Sequence, residues 1–342
     1  MSTAVSQHEE QRQRYETKLK RELGDLLLSY LADPRTEDIL LNPDSALWIK
    51  RIGEGFTPIG EMPPPQAASA LNTIAAWKGT TVNHERPIIE TELPLDGSRF
   101  EGLVSPIVRN PTFAVRLKPR KIFTIEDYEL SGVLTHREDP LNKFRNSDVF
   151  LNSIRGLSHA DIIRKAIISK RNILVVGATG SGKTTFLNAC FDTMARLAPN
   201  DRVISIEDTA ELQCRVRNYV DMRTAGNITM LDCLRACMRL KPTRIVVGEV
   251  RGAEAHTLLK SWNTGHPGGI ATIHANDALS GLVRLETLVA EATTAPQQSL
   301  IAEAVDLVVF VDEESSIGAG RKVREVVCVI GHESGRYVVE HV

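Results

Sequence analysis

An excess of charge of either sign is absent from this sequence. Its 41 Lys and Arg residues stand against 43 Asp and Glu, a formal net charge of −2, whereas a free-standing DNA-binding protein carries a basic excess or stripe. No direct nucleic-acid contact is therefore expected. Also lacking is any apolar run near the roughly 18 residues that a helix needs to cross a bilayer. The stretch Met1 to Lys20 is polar and mixed in charge, unlike a secretory signal. The expectation is a cytoplasmic protein whose membrane contact is peripheral. Cysteine is scarce: Cys190, Cys214, Cys233, Cys237 and Cys328 form no C-x-x-C pair and no metal-ligand cluster. Their odd number and apolar settings read as reduced, packed thiols. No internal repeat or low-complexity tract is present. What remains is ordinary for a globular chain, with 342 residues, 42% hydrophobic and 25% charged, enough for about two domains.

Residues 1–18 carry nearly balanced charge and few apolar groups, as a frayed or helical tail does. Leu19, Leu23, Leu26, Leu27 and Tyr30 then fall on one face of a helix ending near Asp33-Pro34. Asp38 to Leu41 and Ala46 to Arg51 flank the turn residues Asn42-Pro43-Asp44-Ser45, a hairpin pattern. A helix over Gln66 to Lys78 and strands over Ser98 to Pro106 and Thr112 to Leu117 follow, so 19–119 reads as a small α+β domain. Residues 120–158 mix helix and turn signals with many charges and read as an interdomain connector. From 159 to 342 the pattern is α/β. Apolar runs at Ile173 to Val176, Val203 to Ile206, Ile245 to Val247, Ala271 to His274 and Leu307 to Val311 alternate with helical stretches. That alternation predicts a mainly parallel sheet covered on both faces.

The sharpest motif is Gly177-Ala178-Thr179-Gly180-Ser181-Gly182-Lys183-Thr184-Thr185, which fits G-x-x-x-x-G-K-[ST] without a mismatch. A buried-strand run, Asn172 to Val176, precedes it, and a helical stretch, Lys183 to Ala195, follows. The glycines let backbone N–H groups turn inward at phosphate oxygens, and the helix N-terminus adds partial positive charge there. Lys183 is expected to contact the β- and γ-phosphates of ATP, and the Thr184 hydroxyl to complete the shell of Mg2+. A chance glycine-rich turn would not bring strand, loop, lysine and hydroxyl into one register.

A phosphate cradle alone does not specify hydrolysis, which calls for acids at neighbouring strand ends. Val203 to Ile206 runs into Glu207-Asp208, and Arg244 to Gly248 runs into Glu249. Such positions face the crevice where open α/β sheets bind ligands. Glu249 stands where a Walker-B acid belongs, although the magnesium-side residue there is usually Asp. With Gly248 before it, Glu249 is expected to act on Mg2+ through water or on the attacking water. The bland alternative for all three acids is capping of the next helix. The sequence Ile-Glu-Asp also occurs at Ile125-Glu126-Asp127, but no apolar strand precedes it. There Thr124 and Asp127 have capping-box spacing and read as a helix start.

Gly265-His266-Pro267-Gly268-Gly269, then Ile270 to Ala275, places two histidines around a glycine loop and a short strand. A polar side chain here would hydrogen-bond a γ-phosphate or an acid and so report nucleotide state. His274 is the main candidate, and the role is left open for His266. No third ligand has the spacing of a metal site.

Taken in order, Gly-Ala-Thr-Gly-Ser-Gly-Lys-Thr-Thr, Ile-Glu-Asp-Thr-Ala-Glu-Leu, Gly-Glu-Val-Arg-Gly and Gly-His-Pro-Gly-Gly-x-x-Thr-x-His-Ala resemble four blocks of the type II/type IV secretion ATPase superfamily. These are its Walker A, Asp box, Walker B and His box, here within 160–290. Thr36 to Pro43, Leu95 to Arg99 and Phe113 to Arg116 resemble strands of its N-terminal domain. The short chain without a C-x-x-C module resembles the conjugal-transfer (TrbB-type) ATPases rather than the type II branch. The resemblance implies a RecA-like P-loop domain with a smaller α+β N-terminal domain, using ATP and Mg2+. It implies a homohexameric ring at the inner face of the cytoplasmic membrane, docked on other secretion or conjugation proteins. It also implies Glu207 as general base, Glu249 as Walker-B acid, and Arg99 and Arg116 as neutralisers of charge on the γ-phosphate. An assembly ring with little turnover, or a type IV pilus motor, would share these residues. A small-molecule P-loop kinase would leave the His box unexplained, and a DNA translocase would want a basic-aromatic strip.

Overall fold

Strands with alternating apolar residues bury one face, and strands apolar throughout bury two. This chain uses both kinds. The computed structural model describes residues 2–119, 123–134 and 147–342, and the chain divides into units 1–141 and 142–342. Among the described residues no helix is long and apolar enough to cross a membrane.

The first unit runs α1 (Ser2–Ala32), β1 (Thr36–Leu41), β2 (Ala46–Arg51), β3 (Phe56–Glu61), α2 (Pro64–Trp77), β4 (Ile88–Glu92), β5 (Arg99–Leu103), β6 (Thr112–Arg116) and α3 (Ile125–Leu130). Its strands form one antiparallel sheet in the order β3-β2-β1-β6-β5-β4. The Asn42 to Ser45 turn fixes the first hairpin with Leu41 opposite Leu47. Ile39, Leu41, Leu47, Ile49, Phe113 and Val115 share a core with Leu71 and Ile74 of α2 and with leucines of α1. The residues between them, Leu40, Trp48 and Ala114, lie in register and are also buried. The helix α1 includes residues 2–18 of the expected tail, and Gly24 interrupts it with φ 75° and ψ 166°. That break shifts the apolar face. Leu19, Leu23, Leu27 and Leu31 are buried, but Leu26, placed on the same face by periodicity, is 43% exposed. At α3 the Thr124 hydroxyl accepts from Asp127 N at 3.0 Å, and the Asp127 carboxylate accepts from Thr124 N at 3.0 Å. The second Ile-Glu-Asp is thus a capped helix start, as its spacing predicts.

The second unit runs α4 (Ser147–Ile154), α5 (His159–Ile168), β7 (Ile173–Val176), α6 (Lys183–Leu197), β8 (Arg202–Glu207), β9 (Asn218–Arg223), α7 (Met230–Arg239), β10 (Arg244–Val247), α8 (Glu254–Asn263), β11 (Ile270–Ile273), α9 (Ala278–Ala290), α10 (Gln298–Ala304), β12 (Leu307–Glu313), β13 (Arg321–Glu333) and β14 (Arg336–His341). The sheet order is β14-β13-β12-β7-β11-β10-β8-β9. The strands from β12 to β9 are parallel, and the β13–β14 hairpin adds antiparallel strands at one edge. Every residue of β7, β10 and β11 is buried, the polar Arg244 and Thr272 included. Within the stretch read as a connector, α4 packs Phe150, Leu151 and Ile154 into this unit's core. Residues 120–122 and 135–146 of that stretch lie outside the described residues. Cys190, Cys233, Cys237 and Cys328 are buried free thiols, and Cys214 is a half-buried one.

Candidate active site

The neighbouring parallel strands β7, β11, β10 and β8 deliver their carboxyl ends to one edge of the sheet. The phosphate loop follows β7, Glu207 ends β8, Gly248-Glu249 follows β10, and His274 follows β11. Together they line a cleft of about 520 Å³, with Thr179, Gly180, Gly182, Lys183, Thr184, Thr185, Glu207, Asp208, Glu249 and His274 on its walls. Of the remaining loop residues, Gly177 and Ser181 are buried and Ala178 is exposed. Gly177 admits no side chain, since a Cβ there would come 2.3 Å from the Val311 carbonyl oxygen. Gly180 and Gly182 have φ of 82° and 97°, a region that favours glycine.

Side chains join the strand ends into a continuous run. Lys183 Nζ donates to Gly177 O at 2.9 Å, Ala178 O at 2.8 Å and His274 Nδ1 at 3.1 Å. Those acceptors match the N–H count of an ammonium, which only donates, so Nδ1 accepts and the ring proton sits on Nε2. Nε2 meets Glu249 Oε1 at 2.7 Å. Glu249 Oε2 accepts from Arg251 at 2.7 Å, Arg251 reaches Asp208 Oδ2 at 3.2 Å, and Asp208 Oδ1 accepts from Thr224 at 2.8 Å.

The two acids are tuned in opposite directions. Burial pushes Glu249 up, but the Arg251 hydrogen bond, with His274, the Arg251 charge and Lys183, outweighs it and holds the carboxyl below its ordinary range. Burial dominates at Glu207 and raises it. The backbone N–H groups of Glu211 and Leu212, each 3.0 Å from Glu207 Oε2, oppose that only in part. Burial also lowers Lys183, against the pull of Glu249. Gly248 packs closely on Glu207, since a Cβ on it would lie 3.1 Å from Glu207 Cβ. Thr272 braces this corner by donating to Gly248 O at 2.7 Å.

His266 does not join this site. It sits before β11 and His274 after it, so the strand separates them by about 13 Å at roughly 3.3 Å per residue. Its Nδ1 is 2.9 Å from the Pro242 carbonyl oxygen, at the amino ends of the strands. Asn172 Oδ1 there accepts from Gly268 N at 2.7 Å and Gly269 N at 3.0 Å. The glycine loop is a structural clasp. A Cβ on Gly269 would fall 2.0 Å from Trp262 Nε1 and 2.5 Å from Ile245 O, where the indole donates at 3.2 Å. Gly269→Ala is therefore expected to cost about 2–4 kcal/mol through overpacking and a lost buried hydrogen bond. Urea unfolding measures it, and a midpoint equal to the parent's would refute the clasp.

Arg99 and Arg116 belong to the first unit, directly opposite each other on β5 and β6 and both exposed. Two further cations on the cleft are not singled out by sequence reasoning. Arg251 stood inside the Gly-Glu-Val-Arg-Gly block, where its link to two acids could have been suspected. Arg321 had no signal at all. It opens β13, far along the chain, and its NH1 donates to Thr185 Oγ1 at 2.7 Å.

Comparison with known proteins agrees with this geometry. The family model for the type II/IV secretion system protein matches residues 147–330. Conjugal transfer protein TrbB of Rhizobium radiobacter is 43% identical over 324 residues, 95% of this chain and 93% of that protein. Probable conjugal transfer protein TrbB of Sinorhizobium fredii is 44% identical over 323 residues, 94% and 92% of the two chains. The crystal structure of the VirB11 ATPase from the Brucella suis type IV secretion system, in complex with sulphate, superposes with a TM-score of 0.83 at 26% identity. That match covers 93% of this chain and 96% of that one. The resemblance carried by the four sequence blocks is borne out, and the chain belongs to the type II/IV secretion system protein family.

Proposed function

We propose that this chain hydrolyses ATP with Mg2+ and works as a hexameric ring in a type IV secretion or conjugation system, peripheral to the cytoplasmic face of the inner membrane. The observation that carries the chemistry is the unbroken run from Lys183 through His274 to Glu249. It ties the phosphate-binding cation to an acid on a neighbouring strand. The conjugal-transfer and type IV secretion names of the relatives support the setting.

Lys183 and the loop N–H groups hold the triphosphate. Glu207, raised by burial, is the better proton acceptor, because a base works best with a pKa near the operating pH. Glu249 stays ionised and orients water, and His274 couples its position to that of Lys183. The Thr184 hydroxyl, with Glu249 through water, would offer the oxygen donors Mg2+ prefers, and the ion would supply charge neutralisation at the phosphates. Steady phosphate release that stops on chelation supports this reading. Tight ATP binding with negligible turnover would replace it with an assembly ring.

Arg99 and Arg116 are assigned to the γ-phosphate. Like charges directly opposite on a strand pair repel, and neither arginine has an ion-pair partner among the described residues. An anion between them would relieve the repulsion. Arg99→Ala and Arg116→Ala are each expected to lower kcat about 10- to 100-fold while ADP affinity changes little, as loss of a charge-assisted contact to the γ-phosphate requires. Arg116→Lys should recover only part, lacking the guanidinium fork. Parental kcat in both alanine variants and in the double variant would make the arginines scaffold residues.

A further inference from the structure

The cleft holds a second cation on the phosphate loop that no motif marks. Arg321 lies opposite Glu313 across the β12–β13 pair, and its side chain crosses to the loop to donate to Thr185 Oγ1 at 2.7 Å. The approach is close, since a Cβ on Gly182 would lie 2.6 Å from both Cδ and NH1 of Arg321. The Glu313 carboxylate is directed elsewhere, to Gly180, where a Cβ would come 3.4 Å from Oε1. Arg321 has no ion-pair partner among the described residues. A guanidinium has five N–H donors, and here its partner is a neutral hydroxyl on the wall of an anion-binding cleft.

The two cations serve different stretches of the loop. Lys183 is bound to Gly177, Ala178 and His274, beside Glu249. Arg321 touches Gly182 and Thr185. In a P-loop the lysine takes the β- and γ-phosphates while backbone N–H groups cradle the α- and β-phosphates. Glu249 marks the lysine's end as the one where hydrolysis occurs. We infer that Arg321 binds the α-phosphate of the nucleotide and so holds di- and triphosphates alike. This rests on the ATP-binding reading above and adds a specificity residue to it: Arg321 favours nucleotides over free pyrophosphate.

The test is titration calorimetry of the full chain with ADP, the β,γ-imido analogue of ATP, and inorganic pyrophosphate. Arg321→Ala is expected to weaken ADP and the analogue by the same factor, about 10- to 100-fold, and pyrophosphate by less than about threefold. Arg321→Lys should recover part of the loss, because a point charge lacks the fork. Unchanged ADP affinity in Arg321→Ala would overturn the assignment. So would a loss confined to the ATP analogue, or an equal loss for pyrophosphate. If the parent bound no nucleotide and Lys183→Ala matched it, the ATP-binding reading itself would fall. If Lys183→Ala weakened binding and Arg321→Ala did not, only the present inference would.

Discussion

Lys183→Ala is expected to lose ATP hydrolysis by about 10³-fold or more and to bind ADP and ATP at least about 10²-fold more weakly, while remaining folded. The lysine is 7% exposed, and all its described partners are polar groups of the site. Those are the carbonyls of Gly177 and Ala178 and the ring of His274. Truncation leaves the three acceptors without their donor, but the cleft is open to water, so the cost to folding stays near 1 kcal/mol. The cost to function is larger for two reasons. The cation proposed to meet the β- and γ-phosphates is gone, and His274 loses the contact that fixes its tautomer toward Glu249. Lys183→Arg should not rescue, since a planar fork cannot occupy a place shaped for three donors from one nitrogen. Phosphate release and calorimetry on the two variants decide the matter, with thermal unfolding as the folding control. Hydrolysis near the parental rate in either variant would sink the site assignment.

What sequence patterning captured and what it lost divide along the sheets. The strands found from apolar runs, β1, β2, β5 and β6 in the first unit and β7, β8, β10, β11 and β12 in the second, are all interior. The strands not found include all the edges: β3 and β4 of one sheet, β9 and β14 of the other. An edge strand pairs on one side only and need not be apolar throughout. Thus β3 carries Pro58 and has no fully buried residue, and β9 alternates buried and half-buried positions through Asn218, Tyr219, Val220 and Asp221. The β13 strand fails for a related reason, as it opens with the charged run Arg321-Lys322-Val323-Arg324-Glu325. Hydrophobic periodicity reports burial, and where burial thins out it falls silent.

The site shows the same division between motif and contact. Strand–loop–helix order was enough to place Lys183, Thr184, Glu207, Glu249 and His274 on one edge, because parallel strands must present their carboxyl ends together. The same logic, carried one step further, separates His266 from His274, since the two flank β11 and so lie at opposite ends of it. What motif spacing does not contain is which side chain meets which. The direction of the Lys183–His274–Glu249 run, the tie from Arg251 to Asp208, and the arrival of Arg321 depend on rotamers and on a hairpin remote in sequence.

Glu249→Gln is expected to bind ATP at least as tightly as the parent and to hydrolyse it about 10²–10⁴-fold more slowly. The substitution keeps shape and removes charge. In the parent, Oε1 accepts from His274 Nε2 at 2.7 Å and Oε2 from Arg251 NH2 at 2.7 Å. An amide has one oxygen acceptor, and its NH2 group would face a donor on either side, so one of these contacts must break. Removing a negative charge from the cleft also lowers repulsion with the triphosphate, which is why binding should hold or improve while turnover falls. Glu249→Asp separates charge from reach. It restores the charge but is one methylene shorter and cannot span from His274 to Arg251, so its rate should lie between the glutamine variant and the parent. On the proposal that His274 acts through Glu249, adding His274→Ala to Glu249→Gln should cost far less than His274→Ala costs alone. Groups that act as a unit are non-additive in this way. Single-turnover hydrolysis and nucleotide calorimetry on the four proteins give both quantities. Turnover retained together with lost binding would reduce Glu249 to a structural residue. Full additivity of the two substitutions would break the link from phosphate-binding lysine to acid on which the hydrolytic reading depends.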